Sequence, residues 1–290
     1  MSRLRIVHTT GFRYAGEVAA SYNEARMLPQ TSGPQLVLEA HLDIQPQASV
    51  LTYQDYWGTR VSAFELLAPH DHLTLTATSL VEVQERPRPA VELGWEEIAA
   101  LAGRQVSIMQ QLEQTDRTRP DPEVVRLARE AAEGASPGVA AERICRVLGE
   151  RIDYVPGATS VHSRAVDAWR TGAGVCQDIA HIAIGALRAV GIPARYVSGY
   201  LHPDVDAPVG VPVVGESHAW VEWFTGDWVG FDPTNHKPAG SSHVVVGRGR
   251  DYDDVSPLRG VYAGPFAAEQ FVSVEITLMD SSARGGVAGR

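Results

Sequence analysis

The stretch from Thr171 to Tyr200 reads TGAGVCQDIAHIAIGALRAVGIPARYVSGY, and we expect the rest of the chain to be organised around it. The apolar residues that follow Cys176 recur at the spacing of a helix. Gly191 and Pro193 should end this helix, because glycine accepts the left-handed C-terminal position and proline cannot continue a helix. Residues 194–201 then have the composition of a strand.

Cys176 is the chemical centre of this stretch. It follows a glycine-rich turn and opens a helix that is nearly all apolar and is therefore expected to be buried. Free N–H groups and the helix dipole at that position favour a thiolate. A free cysteine on its own is more often a small buried hydrophobe. Two aromatic, strand-like runs downstream favour a catalytic role for Cys176, because residues 217–224 carry His218 and residues 228–235 carry Asp232.

A cysteine, a histidine and an aspartate supply the nucleophile, base and orienting carboxylate of thiol acyl transfer. We expect residues 224–226 to form a three-residue hairpin loop that ends on a glycine. Trp223 then pairs with Asp227, and His218 lies directly opposite Asp232. Directly opposed residues share a face of the sheet, so this register holds the imidazole against the carboxylate. A two-residue loop would place the two side chains on opposite faces.

Three blocks of sequence carry a resemblance to a known family: GVCQDIAHIAIGALRAVGIPARYVSGYL from Gly174, SHAWVEWF from Ser217 and WVGFDPTN from Trp228. They resemble the bacterial transglutaminase-like superfamily, which includes cysteine proteases and amidases. The resemblance implies an α+β fold, with a papain-like core of helices packed on an antiparallel sheet. It also implies an N-terminal antiparallel β-sandwich domain, and Cys176 as nucleophile, His218 as base and Asp232 as the partner of the base.

The predicted domain boundary follows the change in composition near two prolines, Pro87 and Pro89. Residues 1–86 form the predicted N-terminal β-rich domain, residues 87–280 the catalytic domain and residues 281–290 a disordered tail. Strands are predicted over 3–8, 36–44, 49–57, 60–67 and 73–83, where β-branched and aromatic residues are frequent. Helices are predicted over 95–114, 122–131, 139–152 and 163–170.

Several groups near Cys176 could stabilise an oxyanion. The backbone N–H of Cys176 is the most secure donor, because it belongs to the helix N-terminus. The indole of Trp169 and the hydroxyl of Tyr154 are alternative side-chain donors, although a tryptophan at position 169 is more often part of a core. Cys145 has no chemistry-bearing neighbours in the sequence and is predicted to be structural.

Composition narrows the class of protein. The chain has 290 residues and a net charge of −10, which argues against nucleic acid or an anionic membrane as a partner. Its two cysteines make no disulfide framework, and the ten histidines show no metal-ligand spacing, so we expect no metal and no organic cofactor. No signal-peptide core and no membrane-spanning run is visible, which favours a cytoplasmic protein with reduced thiols.

We therefore expect a thiol acyl-transfer enzyme that cleaves amide or peptide bonds through a thioester, a cysteine protease or amidase. A protein-glutamine transglutaminase is the close alternative. A catalytically retired protein-interaction module is the alternative of another class, and an intact Cys, His and Asp set speaks against it. The expected partner is a peptide or protein amide. The sequence leaves the oligomeric state open and is compatible with a homo-oligomer.

Overall fold

The N-terminal part of the chain is built from long antiparallel strands. The computed structural model describes residues 1–85, 91–203, 208–215 and 217–281. The strands of the first part are β1 (Ser2–Val18), β2 (Ala20–Ala25), β3 (Gln35–Gln45), β4 (Val50–Gln54), β5 (Arg60–Leu66) and β6 (His70–Val83).

Helices follow, with two short strands among them. They are α1 (Trp95–Ala102), α2 (Val106–Met109), α3 (Pro122–Ala132), α4 (Pro137–Gly149), β7 (Asp153–Tyr154), α5 (Ala165–Thr171), β8 (Ala173–Gly174) and α6 (Cys176–Ala189). Within the described ranges, every helix is too short or too polar to cross a bilayer.

The last part of the chain is again mostly β-structure. Its elements are β9 (Ala194–Leu201), β10 (Pro212–Gly215), β11 (Ser217–Phe224), β12 (Trp228–Asp232), β13 (Lys237–Pro238), β14 (His243–Gly249), α7 (Tyr252–Val255), β15 (Leu258–Ala263) and β16 (Ala268–Ser281).

Helix α6 packs on an antiparallel sheet with the strand order β13-β12-β11-β9-β14. All of its residues from Cys176 to Arg188 are buried, because the sheet covers one side and α3, α4 and α5 cover the others. Ala219, Val221 and Trp223 alternate along β11 and point into the same core as the helix. The predicted α+β core of helices on an antiparallel sheet is confirmed.

The N-terminal sandwich consists of two antiparallel sheets, ordered β10-β16-β1-β6-β3 and β15-β2-β5-β4. Leu73, Leu75 and Ala77 are buried at alternate positions of β6, and they share a core with Phe64 and Leu66 of the second sheet. The predicted β-rich N-terminal region is confirmed. Strand β2 was not predicted. Its buried side chains include polar ones such as Ser21, so its sequence lacks the alternation of apolar and polar residues that indicates a strand.

The larger sandwich sheet also packs against the sheet β13-β12-β11-β9-β14, which is called the catalytic sheet because it lies in the predicted catalytic domain. Apolar residues of β1, β6 and β16 form one buried cluster with Tyr200 of β9 and with Val244 and Val246 of β14. Within this contact the Tyr200 hydroxyl donates to the carbonyl of Met27 at 2.9 Å, so His8 Nδ1–H donates to that hydroxyl at 3.0 Å. The two parts of the chain therefore share both apolar packing and buried hydrogen bonds.

The last two strands lie in the sandwich, whereas the predicted catalytic domain extended to residue 280. Strand β16 pairs with β1 along almost its whole length, and β15 pairs with β2. Strands β1 and β2 need these partners, since unpaired edge groups are costly when they are buried. The predicted tail began at residue 281, which is the last residue of β16. The predicted linker prolines and residues 282–290 lie outside the described residues, so those boundaries stay predictions.

The predicted helix over 95–114 is broken in the structure. α1 ends at Gly103, and α2 is a single turn. The chain beyond it cannot stay helical, because the carbonyl of Gln111 accepts hydrogen bonds from Ala194 N–H and Arg188 Nε, both at 3.0 Å. In contrast, α3 begins as predicted, with Asp121 capping Glu123 N–H at 3.1 Å.

Gly185 provides a test of the packing around α6. A Cβ atom at this position would lie 1.9 Å from the carbonyl oxygen of Thr118. Helix propensity favours alanine over glycine by about 1 kcal/mol. We nevertheless expect Gly185→Ala to lower the free energy of unfolding by roughly 1–3 kcal/mol, because the added methyl overpacks a closed contact. Urea unfolding measures this change.

Gly103→Ala is the matched control. At Gly103 the nearest atoms to an added Cβ are 3.6 Å away, so its stability should stay within about 0.5 kcal/mol of wild type. Equal stability of the two variants would contradict the close approach of Thr118 to the helix.

Candidate active site

Cys176 is the first residue of α6 and is 9% exposed. Gly172, in the left-handed conformation with φ 71°, ends α5 and turns the chain toward it. Asp178 completes the helix start, since its Oδ2 accepts hydrogen bonds from Val175 N–H at 2.9 Å and from the Thr159 hydroxyl at 2.6 Å. The thiol therefore lies at a helix N-terminus, where backbone N–H groups have no intrahelical acceptor.

His218 lies near the start of β11 and joins the other two side chains. Its Nε2 is 2.8 Å from Asp232 Oδ2, and the imidazole is also close enough to interact with the side chain of Cys176. Burial disfavours the imidazolium, but the hydrogen bonds to Asp232 and Cys176 outweigh burial and raise the pKa of His218 to about 10. The structure thus brings together the three residues that the sequence singled out.

The register of the hairpin differs from the predicted one by two residues. Phe224 pairs with Trp228, and the loop consists of residues 225–227. Thr225 N–H donates to the carbonyl of Asp227 at 3.1 Å and closes this loop. The prediction of direct opposition is therefore wrong. A shift of two keeps every side chain on its predicted face, so His218 reaches Asp232 diagonally.

The Asp232 carboxylate is fully buried and accepts several hydrogen bonds. Oδ1 accepts from the N–H groups of Thr234 and Asn235 at 3.0 and 3.1 Å, and Oδ2 accepts from Asn235 Nδ2 at 2.8 Å. Burial alone would raise the pKa of this carboxyl. Together, the hydrogen bonds from His218, His243 and Asn235 and the charge of His218 outweigh burial and hold the pKa well below its usual range.

His243 belongs to the site, and sequence reasoning missed it. Its Nε2 is 3.3 Å from Asp232 Oδ2, and its ring is buried at the start of β14. Trp220 packs beside both imidazoles, stacked on His218 at 6.2 Å between centroids and edge-on to His243 at 5.2 Å. The sequence signal was weak, because a histidine at the beginning of an apolar strand usually has only a packing role.

The two predicted side-chain oxyanion donors lie in different surroundings. Trp169 packs partly against the core around α6, and its indole N–H donates to Glu123 at 3.2 Å. That N–H is therefore directed toward α3. Tyr154 is 44% exposed and pairs with Gly174, two residues before Cys176, so it stays a candidate donor.

Cys145 differs from Cys176 in every respect that matters for reactivity. It is fully buried inside α4, and burial raises the pKa of its thiol.

A separate cleft of ≈920 Å³ lies between the sandwich loops 30–34 and 54–59 and the catalytic sheet. Its lining includes Arg195 and Arg248, which both pair with the buried Glu222 at 2.6 and 2.8 Å. Neither Cys176 nor the residues that bond to it line this cleft. It is therefore distinct from the candidate active site.

Comparison with known proteins gives family matches over both parts of the chain. Residues 4–82 match the model of the bacterial transglutaminase-like N-terminal region, and residues 125–233 match that of the transglutaminase-like superfamily. An uncharacterized protein of Mycobacterium leprae is 42% identical over 277 residues, which cover 96% of this chain and 99% of that protein. An uncharacterized protein of Mycobacterium bovis is 34% identical, with 97% and 94% covered.

Among solved structures, a candidate cysteine protease from Cytophaga hutchinsonii is similar, with a TM-score of 0.75 at 20% identity over 97% of this chain and 91% of that one. At this identity the structural similarity establishes the fold. The two family models and the two mycobacterial relatives establish the family. On this evidence the chain belongs to the transglutaminase-like superfamily.

Proposed function

We propose that this protein is a thiol acyl-transfer enzyme in which Cys176 is the nucleophile, His218 the base and Asp232 the orienting carboxylate. The observation that carries the proposal is that His218 hydrogen-bonds to Asp232 at 2.8 Å and is also close enough to interact with Cys176. Because Nε2 of His218 faces Asp232, Nδ1 is the ring nitrogen that can interact with the Cys176 thiol. A histidine held in this way favours an imidazolium–thiolate pair.

The proposed reaction begins when the Cys176 thiolate attacks the carbonyl carbon of a carboxamide or peptide. The backbone N–H of Cys176 helps to hold the oxyanion, and Tyr154 is a candidate second donor. The C–N bond then breaks, and the amine leaves with a proton from His218. Water, deprotonated by His218, hydrolyses the thioester and releases a carboxylic acid and the thiolate.

We place hydrolysis ahead of transglutamination because the aromatic residues near the site are engaged in packing. Trp220, Trp223 and Phe231 are at most 3% exposed. Trp228 is covered by the guanidinium of Arg195, which lies 3.8 Å from the ring centroid. Amine transfer needs a channel that admits a lysine and excludes water, and buried aromatics cannot form its walls.

The two thiols should differ strongly in reactivity. We expect iodoacetamide at pH 7 to modify Cys176 at least roughly 10-fold faster than Cys145, because only Cys176 combines a helix N-terminus with a histidine partner. Peptide mass spectrometry of the native protein measures both rates. Denatured protein, in which both thiols are exposed, is the control. Equal native rates would remove the basis for the nucleophile and favour a retired interaction module.

The pH dependence of this reaction tests the pair itself. With a pKa of about 10 instead of 6.5, the folded His218 keeps its proton through neutral pH. The stabilisation that protonated His218 contributes to the folded state is complete below pH 6.5. It is lost as the pH rises through about 10. If this imidazolium holds Cys176 as a thiolate, as the proposal requires, alkylation of Cys176 should change little between about pH 7 and 9.

The matched variant for this measurement is His218→Asn, which removes the cation and keeps a polar side chain. Its alkylation rate should rise roughly tenfold per pH unit up to about 8.5, the range of an ordinary thiol. A wild-type profile with that same slope would refute the ion pair.

The reaction type can be tested with a glutamine-containing protein, supplied with and without a primary-amine reporter. We expect ammonia or peptide release to exceed amine incorporation, and Cys176→Ala to lower both by roughly 10³-fold or more. Cys145→Ala is the matched control and should keep full activity. Cys176-dependent incorporation that outpaces release would instead identify a transglutaminase.

A further inference from the structure

His243 contacts the carboxylate oxygen that His218 also contacts, yet the proposed reaction gives it no role. Its Nε2 lies 3.3 Å from Asp232 Oδ2, while His218 Nε2 lies 2.8 Å from the same atom. A buried histidine beside a buried carboxylate can be a cation that neutralises part of the carboxylate charge. It can instead be a neutral hydrogen-bond donor that holds the carboxylate in position. The two alternatives have opposite consequences for His218.

The contacts of the other ring nitrogen, Nδ1, distinguish a cationic His243 from a neutral one. Gly240 N–H lies 3.2 Å from Nδ1, and the Ser242 hydroxyl lies 3.3 Å from it. A backbone N–H can only donate, so Nδ1 must present a lone pair. The single proton of a neutral ring is then on Nε2, directed at Asp232. A second proton on Nδ1 would face the Gly240 N–H.

The charges around His243 agree with a neutral ring. Burial disfavours the imidazolium most, the nearby cations His218 and Lys237 disfavour it further, and the opposing effect of Asp232 is smaller. The pKa of His243 is accordingly lowered. Trp220 lies edge-on to the ring at 5.2 Å and carries no charge.

We propose that His243 is a positioning residue that donates Nε2–H to Asp232 as a neutral imidazole and fixes the carboxylate against His218. This inference rests on the function proposed above for Cys176. A neutral donor anchors the carboxylate without adding a positive charge, so the full negative charge of Asp232 acts on His218. A second imidazolium would instead repel the first and weaken the ion pair with the thiolate.

Two substitutions distinguish the effect of the Nε2–H hydrogen bond of His243 from the effect of its ring packing. His243→Phe keeps a ring beside Trp220 but has no N–H, whereas His243→Gln keeps an N–H near the position of Nε2. The rate of Cys176 alkylation by iodoacetamide is measured across the pH range in Cys145→Ala protein. We expect His243→Phe to lower the rate at pH 7 by roughly 10-fold, the effect of losing one hydrogen bond to a buried charge.

The acid side of the profile should also move to higher pH in His243→Phe. A less well held Asp232 has a raised pKa and is protonated earlier as the pH falls, which weakens its hold on His218. His243→Gln should stay within roughly threefold of wild type, because the donor is kept. A His243→Phe profile that matches wild type, or a His243→Gln variant impaired as much as His243→Phe, overturns the proposal.

A measurement on the wild-type protein keeps the inference testable even if His243→Phe does not fold. Nitrogen-15 NMR of the histidine rings, assigned with His243→Gln, reports the tautomer of each imidazole. A neutral His243 with its proton on Nε2 supports the proposal, and a proton on Nδ1 or on both nitrogens overturns it. If wild-type Cys176 reacts no faster than free cysteine, the proposed function fails, while the tautomer still tests the role of His243.

Discussion

The buried charge of Asp232 is the constraint on which the site depends. A carboxylate without solvent is stable only when its lone pairs are filled, and here backbone N–H groups, the Asn235 amide and two imidazoles fill them. These donors come from the turn after β12, from β11 and from the start of β14. The anion therefore requires three separate segments to meet, and their meeting sets the orientation of His218.

The second requirement is a helix that arrives at the same place with Cys176 at its first turn. The apolar surface of α6 fixes its depth in the core, and Gly185 lets the helix approach Thr118 without a side chain between them. The Cys176 thiol is thus positioned by packing, and the His218 imidazole is positioned by hydrogen bonds. Neither contribution is local, so the geometry of the site depends on the whole catalytic sheet.

Some of this could be predicted from the sequence, for physical reasons that differ between elements. The nearly all-apolar sequence of α6 predicts a buried helix with Cys176 at its start. The face occupied by His218 was predictable although the register was not, because a shift of two residues preserves sidedness. His243 was not predictable, since its contact with Asp232 depends on strand order. The pairing of β16 with β1 joins opposite ends of the sequence, and no local pattern reveals it.

This last pairing has a consequence for how the protein is made. The helices and the catalytic sheet lie between strands that belong to the sandwich, so they form an insertion within it. During synthesis the catalytic segments leave the ribosome before β15 and β16 do. Strand β1 therefore has no partner on one edge until β16 has been synthesised, and until then the apolar residues of β9 and β14 lack part of the surface on which they pack. The sandwich that supports the catalytic sheet is therefore completed only after the segments that carry Cys176, His218 and Asp232 have been synthesised.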